Sequence, residues 1–246
     1  IYVSAAKNLS RCFLELGGND PLIIFDDVDL DTAVTEAING RIVHAGQACC
    51  SSKRFIVQEN IYDEFAGRLA ERLKGMKIGD PLDQGSRVGP LIDERAAQRV
   101  EEIVDRTVKA GAYCLCGGRR FDGNFFEPTV LTGVTPAMDI AQNLEVFGPV
   151  FPLIKFKTEE QAVAIADNCT YGLSSGVISG EIQRAIRVAR QLDAGNCTIN
   201  GTGLYRTHDM PFGGHRKSGL GTEGLYATLD EFTKTKTYVW KGAAIR

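Results

Sequence analysis

Short continuous apolar runs alternate along this chain with longer segments whose apolar residues recur every three or four positions. The first run, residues 22–25, follows Pro21 and is of the kind that is buried on both faces of a parallel sheet. The apolar residues at helical spacing in the next segment are Ala33, Val34, Ala37, Ile38 and Ile42. Asp29 or Asp31 can cap that segment. The pattern therefore predicts a buried strand followed by an amphipathic helix.

The same alternation continues towards the end of the chain. The predicted strands are residues 11–16, 22–25, 55–57, 113–116, 125–131, 150–156, 175–178 and 197–200. The predicted helices are residues 33–42, 61–73, 97–108, 139–144, 159–167 and 182–192. Repeated strand, helix, strand units predict an α/β fold with an open, mainly parallel sheet and helices on both faces. Residues 232–240 alternate Thr and Lys with apolar residues and predict an edge strand that can pair with another chain.

Composition narrows the classes of function. With 246 residues and 43% hydrophobic content, the chain can fill a sizeable core. A net charge of -3 argues against a nucleic-acid-binding surface, which is normally basic. The apolar runs are much shorter than a membrane span. We therefore expect a soluble protein without a nucleic-acid or membrane partner.

The cysteines and histidines indicate the compartment and the absence of a metal site. The seven cysteines are Cys12, Cys49, Cys50, Cys114, Cys116, Cys169 and Cys197. An odd, scattered set favours reduced thiols in the cytoplasm over a disulfide framework. His44, His208 and His215 do not combine with them at zinc-ligand spacing, so we expect no metal. Cys114 and Cys116 alternate along a predicted strand, which indicates packing.

Two stretches are candidates for chemistry. Cys49 and Cys50 follow a Gly-Gln turn where a helical pattern gives way to a strand, and a thiol there can be exposed and activated. The alternative, that both are small buried hydrophobes, is the commoner role of free cysteine and is favoured by composition alone. Glu15 lies in an apolar segment, where a carboxylate is costly unless it is paired or functional. An edge-strand glutamate facing water explains it equally well.

Four motifs together resemble the NAD(P)-dependent aldehyde dehydrogenase superfamily. They are Glu-Leu-Gly-Gly at 15–18, Gly-Gln-x-Cys at 46–49, Glu-Val-Phe-Gly-Pro at 145–149 and Pro-Phe-Gly-Gly at 211–214. Each motif is weak alone, but their order and separations match the family over essentially the whole chain. The resemblance covers only the later part of a family member.

The resemblance implies a role for each matching residue. Cys49 is the implied nucleophile that forms a thiohemiacetal and then a thioester, and Glu15 is the implied base for the hydrolytic water. Relatives that transfer the acyl group to coenzyme A or reduce acyl phosphates generally lack this glutamate, so the implied product is a free acid. The implied cofactor-binding residues are Glu145, Phe147 and Gly17, for NAD or NADP. The implied substrate-binding residues are Asn200, Tyr205, Arg206 and His208. Since ligand sites in open parallel sheets gather beyond the carboxyl ends of strands, we expect Cys49, Glu145 and the loop after Asn200 to meet there.

Several of these residues have simpler explanations. Glu145 alone fits a turn at a helix end, and Asn200 fits a turn at a strand end about equally well. Arg206 and His208 suggest a polar or anionic aldehyde such as a semialdehyde, although loop charges are more often solvated. Asn19 and His215 depart from the residues frequent in the family, which leaves the substrate and some cofactor contacts open.

The resemblance also implies a domain organisation. Residues 1–18 correspond to the end of the dinucleotide-binding domain, 19–230 to the catalytic domain and 231–246 to a C-terminal strand that helps to build a homo-oligomer, a dimer or tetramer. Because the chain begins at Ile1 without methionine, we expect a fragment or an isolated catalytic domain that is inactive alone. The rival functions are a cysteine-dependent thioester hydrolase, for which His44 is a poor base, and a non-catalytic binding or scaffold domain.

Overall fold

A seven-stranded sheet forms the centre of the computed structural model, which describes residues 1–242. The helices are α1 (Tyr2–Ala6), α2 (Leu30–Ile42), α3 (Glu59–Lys74), α4 (Glu94–Lys109), α5 (Glu159–Asp167), α6 (Ile182–Ala189) and α7 (Leu225–Phe232), with 3-10 turns at Val43–Gly46 and Asp139–Ala141. The strands are β1 (Leu14–Glu15), β2 (Pro21–Ile24), β3 (Arg54–Gln58), β4 (Tyr113–Cys116), β5 (Arg120–Phe121), β6 (Phe125–Phe126), β7 (Thr129–Val134), β8 (Val150–Phe156), β9 (Tyr171–Gly172), β10 (Gly176–Ile178), β11 (Thr198–Ile199), β12 (His215–Arg216) and β13 (Gly219–Leu220).

The order of strands in the central sheet is β11-β10-β2-β3-β8-β7-β4. All neighbouring strands are parallel except β4, which pairs antiparallel with β7 at one edge. The step from β2 through α2 to β3 moves one way along the sheet, and the step from β8 through α5 to β10 moves the other way. Right-handed crossovers therefore place α2 and α5 on opposite faces. The predicted fold class is confirmed.

Burial explains why these segments form these elements. Leu22, Ile23 and Ile24 of β2 are completely buried, as expected for a strand that is covered on both faces. At the start of α2, the carboxylate of Asp29 accepts a hydrogen bond of 2.8 Å from the amide of Thr32, which is an N-cap. The predicted apolar face of α2 is buried against the sheet, and its last turn brings the chain to the start of β3.

Several predictions about local structure differ from what is observed. The helix predicted at 139–144 is a 3-10 turn at Asp139–Ala141, and the strand predicted at 125–131 is divided into β6 and β7. The strand predicted at 11–16 is only Leu14–Glu15, and it pairs with β13 outside the main sheet. The segment predicted at 232–240 to pair with another chain follows α7, which ends at Phe232, and residues 233–242 form no strand within this chain. Its pairing with another chain stays a prediction. The predicted tail extends into 243–246, outside the described residues. Cys114 is exposed, not packed.

The described residues contain neither a helix suited to a membrane nor a cluster suited to a metal ion. No helix between residues 1 and 242 combines the length and the apolar character needed to cross a bilayer. The same part of the chain contains no group of three or more His, Cys, Asp or Glu side chains arranged to hold a metal ion.

Two glycines should respond in opposite ways to alanine. Gly46 has a φ of 78°, and a Cβ there would collide with the carbonyl of Gly148. We expect Gly46→Ala to lower the free energy of unfolding by about 1 to 3 kcal/mol, the cost of a strained left-handed residue. Gly67 lies in α3, and a Cβ there would meet nothing within 4 Å. Gly67→Ala should therefore raise the free energy of unfolding by about 0.5 to 1 kcal/mol.

Urea unfolding of both variants beside the unchanged chain measures this difference. Equal effects of the two substitutions would show that the conformation at Gly46 is not constrained as described.

Candidate active site

Three of the four sequence motifs meet at the edge of the sheet where its parallel strands begin. Cys49 precedes β3, Glu15 precedes β2 and Glu145 precedes β8. We expected such residues beyond the carboxyl ends of the strands, as in many open parallel sheets, and that expectation is wrong. The reason is that α2 runs back from the carboxyl end of β2 to the amino end of β3. The cysteine loop, which follows α2, therefore lies at the amino ends of the strands.

The cysteine loop is held by the residues that frame it. The side-chain carbonyl of Gln47 accepts a hydrogen bond of 2.8 Å from the amide of Ile92, and its amide group donates to the carbonyl of Pro90 at 3.3 Å. The hydroxyl of Ser51 donates to the carbonyl of Gly40 at 3.0 Å. The Gly-Gln-x-Cys motif thus fixes the loop to a neighbouring loop and to the end of α2.

Arg41 joins the cysteine loop to the Glu145 motif. Its fully buried guanidinium donates to the hydroxyl of Ser51 at 3.0 Å and to the carbonyls of Val146 and Val150 at 2.7 and 2.9 Å. The backbone of Gly46 lies directly against Gly148. Two motifs that are about a hundred residues apart therefore form one rigid unit.

Cys49 and Cys50 are half-buried neighbours, and each thiol influences the pKa of the other. The thiol of Cys49, together with the nearby ammonium of Lys53, lowers the pKa of Cys50 to about 7 against the effect of burial. The thiol of Cys50, burial and the carboxylate of Glu15 raise the pKa of Cys49. The pair therefore loses its first proton easily and its second with difficulty. Since the two groups titrate together, the first ionisation belongs to the pair.

Glu15 faces the thiols from β1. Its carboxylate is close enough to Cys49 to form a hydrogen bond with the thiol. Its side chain is exposed, so burial gives no evidence that this carboxylate has a function. What supports a role for Glu15 is its position beside Cys49, which the ladder between Leu14–Glu15 and Gly219–Leu220 sets.

Glu145 and Phe147 lie beside the cysteine loop. One carboxylate oxygen of Glu145 accepts a hydrogen bond of 2.8 Å from the amide of Gly18 and lies 3.3 Å from the ammonium of Lys53. A Cβ at residue 17 would overlap this carboxylate, which explains the glycine there. The ring of Phe147 is 41% exposed, and its centroid lies 5.4 Å from the Lys53 ammonium.

The predicted substrate-binding residues do not form one group. The side chain of Asn200 accepts a hydrogen bond of 3.0 Å from the amide of Ser179, at the carboxyl end of β10. Asn200 therefore serves as the strand-end residue of the simpler explanation. The loop that follows it returns to the cysteine loop, because Gly203 lies against the carbonyl of Cys50. Tyr205 is 67% exposed. The guanidinium of Arg206 lies 2.7 Å from the carboxylate of Glu223, which already balances its charge.

The remaining predicted residues lie near the surface. His208 lines an open cavity of about 590 Å³ together with Arg206 and α7. In the fourth motif, Phe212 pairs through backbone hydrogen bonds with Glu223. His215, which follows the motif, lies 2.8 Å from the carboxylate of Asp193. His215 is thus accounted for by an ion pair when it is protonated.

The sequence analysis missed the buried charges that surround the thiols. Arg41, Lys53 and Arg54 are each at most 1% exposed, and Asp20 is 2% exposed. Burial raises the pKa of Asp20 to about 8, against the opposing effect of Lys53. Lys53 and Arg54 directly precede the apolar run at 55–57, but charged residues are mostly exposed, so the sequence gives no clear signal of this burial.

The sequence as a whole matches a known protein family. The model of the aldehyde dehydrogenase family matches residues 1–238. The chain belongs to the aldehyde dehydrogenase family. It is 43% identical over 234 residues to the NADP-dependent succinate-semialdehyde dehydrogenase of Deinococcus radiodurans, covering 94% of this chain and 49% of that relative. It is 42% identical over 231 residues to the glutarate-semialdehyde dehydrogenase of Pseudomonas putida, covering 94% of this chain and 48% of that relative.

Solved structures of the aldehyde dehydrogenase family show the same fold. An NAD-dependent aldehyde dehydrogenase from Sinorhizobium meliloti matches with a TM-score of 0.91 and 40% identity, covering 94% of this chain and 46% of that one. A betaine aldehyde dehydrogenase from Staphylococcus aureus in complex with NAD+ matches with a TM-score of 0.90 and 39% identity, covering 94% and 47%. The chain thus spans about half the length of the relatives that it matches.

The thiol pair should react with iodoacetamide at lower pH than an ordinary cysteine. Only the thiolate is alkylated, so the first alkylation of the peptide that carries Cys49 and Cys50 should rise with a midpoint near pH 7. In Cys50→Ser, a hydroxyl can still donate to the Cys49 thiolate, whereas in Cys50→Ala it cannot. We expect the midpoint for Cys49 to lie about one pH unit lower in the serine variant.

Peptide mapping by mass spectrometry after timed alkylation measures both quantities, and Cys197, whose pKa is raised by burial, serves as an internal reference. The interaction between the two thiols would be contradicted by a midpoint at the ordinary value of a free thiol. Identical pH profiles for the serine and alanine variants would contradict it as well.

Proposed function

We propose that the longer protein containing this chain oxidises an aldehyde to a carboxylic acid with NAD or NADP, and that Cys49 is its nucleophile. One observation carries the proposal: the fold brings the Glu15 carboxylate to the Cys49 thiol, beside the partly exposed Glu145 and Phe147. A thiol, a carboxylate and a site for a ribose are what aldehyde oxidation through a thioester requires. The chain alone, half the length of its relatives, should not turn over.

The first step is attack of the Cys49 sulfur on the aldehyde carbon. Since the pKa of Cys50 is lowered to about 7 and the two thiols titrate together, one negative charge is available to the pair near neutral pH. Formation of the carbon–sulfur bond gives a thiohemiacetal whose oxygen carries the developing charge. Within residues 1–242 the amide of Cys49 donates no hydrogen bond to a backbone acceptor, so it is free to stabilise that oxygen.

The second half of the reaction releases the acid. The thiohemiacetal carbon loses a hydride and becomes a thioester. Glu15 then accepts a proton from water, whose oxygen attacks the thioester carbon, and the carbon–sulfur bond breaks to restore the Cys49 thiolate. Because its side chain is exposed, Glu15 can reach a water molecule as well as the thiol.

The cofactor-binding part of the site suits a nicotinamide ribose. The Glu145 side chain is 17% exposed, and its carboxylate can accept hydrogen bonds from ribose hydroxyls. The exposed ring of Phe147 offers a flat apolar surface, and Gly17 leaves room for close approach. When bound, the nicotinamide supplies the acceptor for the hydride. Glu145, Phe147 and Gly17 are therefore the residues of this chain that we assign to the cofactor.

The loop that follows Asn200 carries the residues that we assign to the substrate. Tyr205, Arg206 and His208 form the surface that we assign to the substrate entrance, but the Arg206 charge is already paired with Glu223. An anionic aldehyde, such as those in the names of the two semialdehyde dehydrogenases that resemble this chain, would have to share Arg206 with Glu223. Asn200 is not included, because its side chain is engaged with Ser179.

The organisation of the longer protein is also a proposal. We assign residues 1–18 to the end of the dinucleotide-binding domain, 19–230 to the catalytic domain and 231–246 to an oligomerisation tail. The exposed apolar side chains on α7, including Tyr226, Leu229 and Phe232, support a homo-oligomer, a dimer or tetramer. All seven cysteines are free thiols, which supports a reducing, cytoplasmic location.

A thioester hydrolase is the main rival function. It would require a histidine base at the thiol, yet the charged groups that influence the Cys49–Cys50 pair are Glu15 and Lys53. His44 instead lines an open cavity of about 680 Å³ at the end of α2. A dehydrogenase therefore fits the site better. A scaffold role would leave the position of Glu15 beside Cys49 unexplained.

Removing the thiol should abolish oxidation in the longer protein. Cys49→Ala cannot form the thiohemiacetal, so we expect the rate of NAD(P)H formation to fall by at least about 10³-fold. Cys12→Ala, which removes a thiol that lies outside this cluster, is the matched control and should keep the original rate. Absorbance at the reduced nicotinamide band with a panel of aldehydes is the measurement. Unchanged turnover in Cys49→Ala would exclude the proposed nucleophile.

Replacing the base should separate the two halves of the reaction. Glu15→Gln should still form about one equivalent of NAD(P)H per site in a burst, because hydride transfer precedes the step that needs the base. Steady turnover should then fall by about 10² to 10⁴-fold as the thioester accumulates. Stopped-flow absorbance gives the burst, and intact-mass spectrometry detects the acyl group. Loss of the burst itself would show that Glu15 acts before hydride transfer.

A further inference from the structure

Lys53 is a fully buried charged side chain beside the cysteine loop. Its side chain is completely inaccessible, yet its ammonium group has a full set of partners. It donates to the carbonyl oxygens of Ala48 at 3.0 Å and Cys49 at 2.5 Å, and lies 3.3 Å from the Glu145 carboxylate. A buried ammonium is costly unless it is paired and hydrogen-bonded, so this cluster is a built feature of the loop.

We propose that Lys53 is a positioning residue that ties the backbone of the Cys49 loop to the Glu145 carboxylate and couples the charge of Glu145 to the thiols. The proposal rests on the function proposed above, since it assigns Cys49 and Glu145 to one reaction. Lys53 touches neither reacting atom; it acts through the carbonyl groups that shape the loop and through its charge.

Three carboxyl groups and two buried guanidinium groups lie around the thiols and Lys53. Glu15 raises the pKa of both thiols, whereas Glu145 and Asp20 act on the ammonium of Lys53. Burial raises the pKa of Asp20 to about 8, so this carboxyl group is largely protonated at neutral pH. Arg41 also faces Lys53, and Arg54 faces Asp20, but both are occupied largely by backbone carbonyls. Lys53 is thus the cation that acts directly on the thiol pair.

Glu145 limits this effect of Lys53. Its carboxylate partly neutralises the ammonium, and the second partner of that carboxylate is the amide of Gly18. A ligand that donates hydrogen bonds to Glu145, as the hydroxyls of a ribose would, competes with Lys53 for the same oxygens. Binding at Glu145 therefore leaves the ammonium freer to stabilise a thiolate. In this way, the site can link occupancy of the Glu145 position to the reactivity of Cys49.

The two ends of this ion pair should shift the thiol ionisation in opposite directions. Lys53→Met removes the cation and should raise the midpoint of the first alkylation of the peptide with Cys49 and Cys50 by about one pH unit, a roughly 10-fold slower reaction at neutral pH. Glu145→Gln removes the opposing anion and should lower the midpoint. Lys157→Met, at an exposed lysine paired with Glu59 at 3.5 Å, is the matched control and should leave it unchanged.

A purely structural role for the cluster gives a different result. If the loop collapsed in a variant, the alkylation midpoint of that variant would move upward, towards the ordinary value of a thiol. An upward shift in Glu145→Gln would therefore overturn the proposal. No shift in Lys53→Met would also overturn it. Should Lys53→Met not fold, the direction of the Glu145→Gln shift decides by itself.

The measurement does not depend on turnover. Alkylation with iodoacetamide, followed by mass spectrometry, requires only the folded chain and its thiols. Opposite shifts therefore support the role of Lys53 even if the longer protein oxidises no aldehyde. Conversely, aldehyde oxidation with no shift in these variants would leave the proposed function standing and exclude this coupling.

Discussion

Buried cations that bind backbone carbonyls hold this site together. Arg54 donates to the carbonyls of Asn19, Ile165 and Ala166, while Arg41 and Lys53 bind the loops that carry Glu145 and Cys49. Carbonyl oxygens at the ends of strands and loops would otherwise be buried without partners, which costs as much as a lost hydrogen bond. Each guanidinium can satisfy several of them at once. The site is thus formed by loops that the core fixes in place.

Close backbone contacts explain why the sequence motifs contain glycine. Gly17 lies under the carboxylate of Glu145, and Gly46 lies against Gly148. A methyl group at either position would separate the segments that must meet. Residues of different motifs therefore contact one another in the folded chain. These contacts explain why short patterns that are weak individually indicated the family when they were taken together. Their common feature is contact in three dimensions, which sets the residue types without fixing their separation along the chain.

The active site combines a rigid part and an exposed part. Cys49 and Lys53 lie in a loop that buried hydrogen bonds fix, whereas Glu15 and Phe147 are exposed on either side of it. Such a division suits a reaction in which the nucleophile must keep its position while water and a cofactor come and go. It also explains how the thiol pair can ionise near neutral pH: partial burial opposes ionisation, but a fixed cation and a neighbouring thiol offset it.

The sequence by itself determined the elements and the fold class, because apolar periodicity is a local property that burial in a layered sheet enforces. It also identified Cys49, Glu15 and Glu145 through motifs. It gave the wrong edge of the sheet, and it missed Asp20, Lys53 and the role of Asn200. Only the tertiary structure decided these, because they depend on the direction in which helices cross the sheet and on contacts between segments far apart in the chain. Whether a charged side chain is buried or solvated likewise depends on its partners in the folded structure, which a local sequence pattern does not contain.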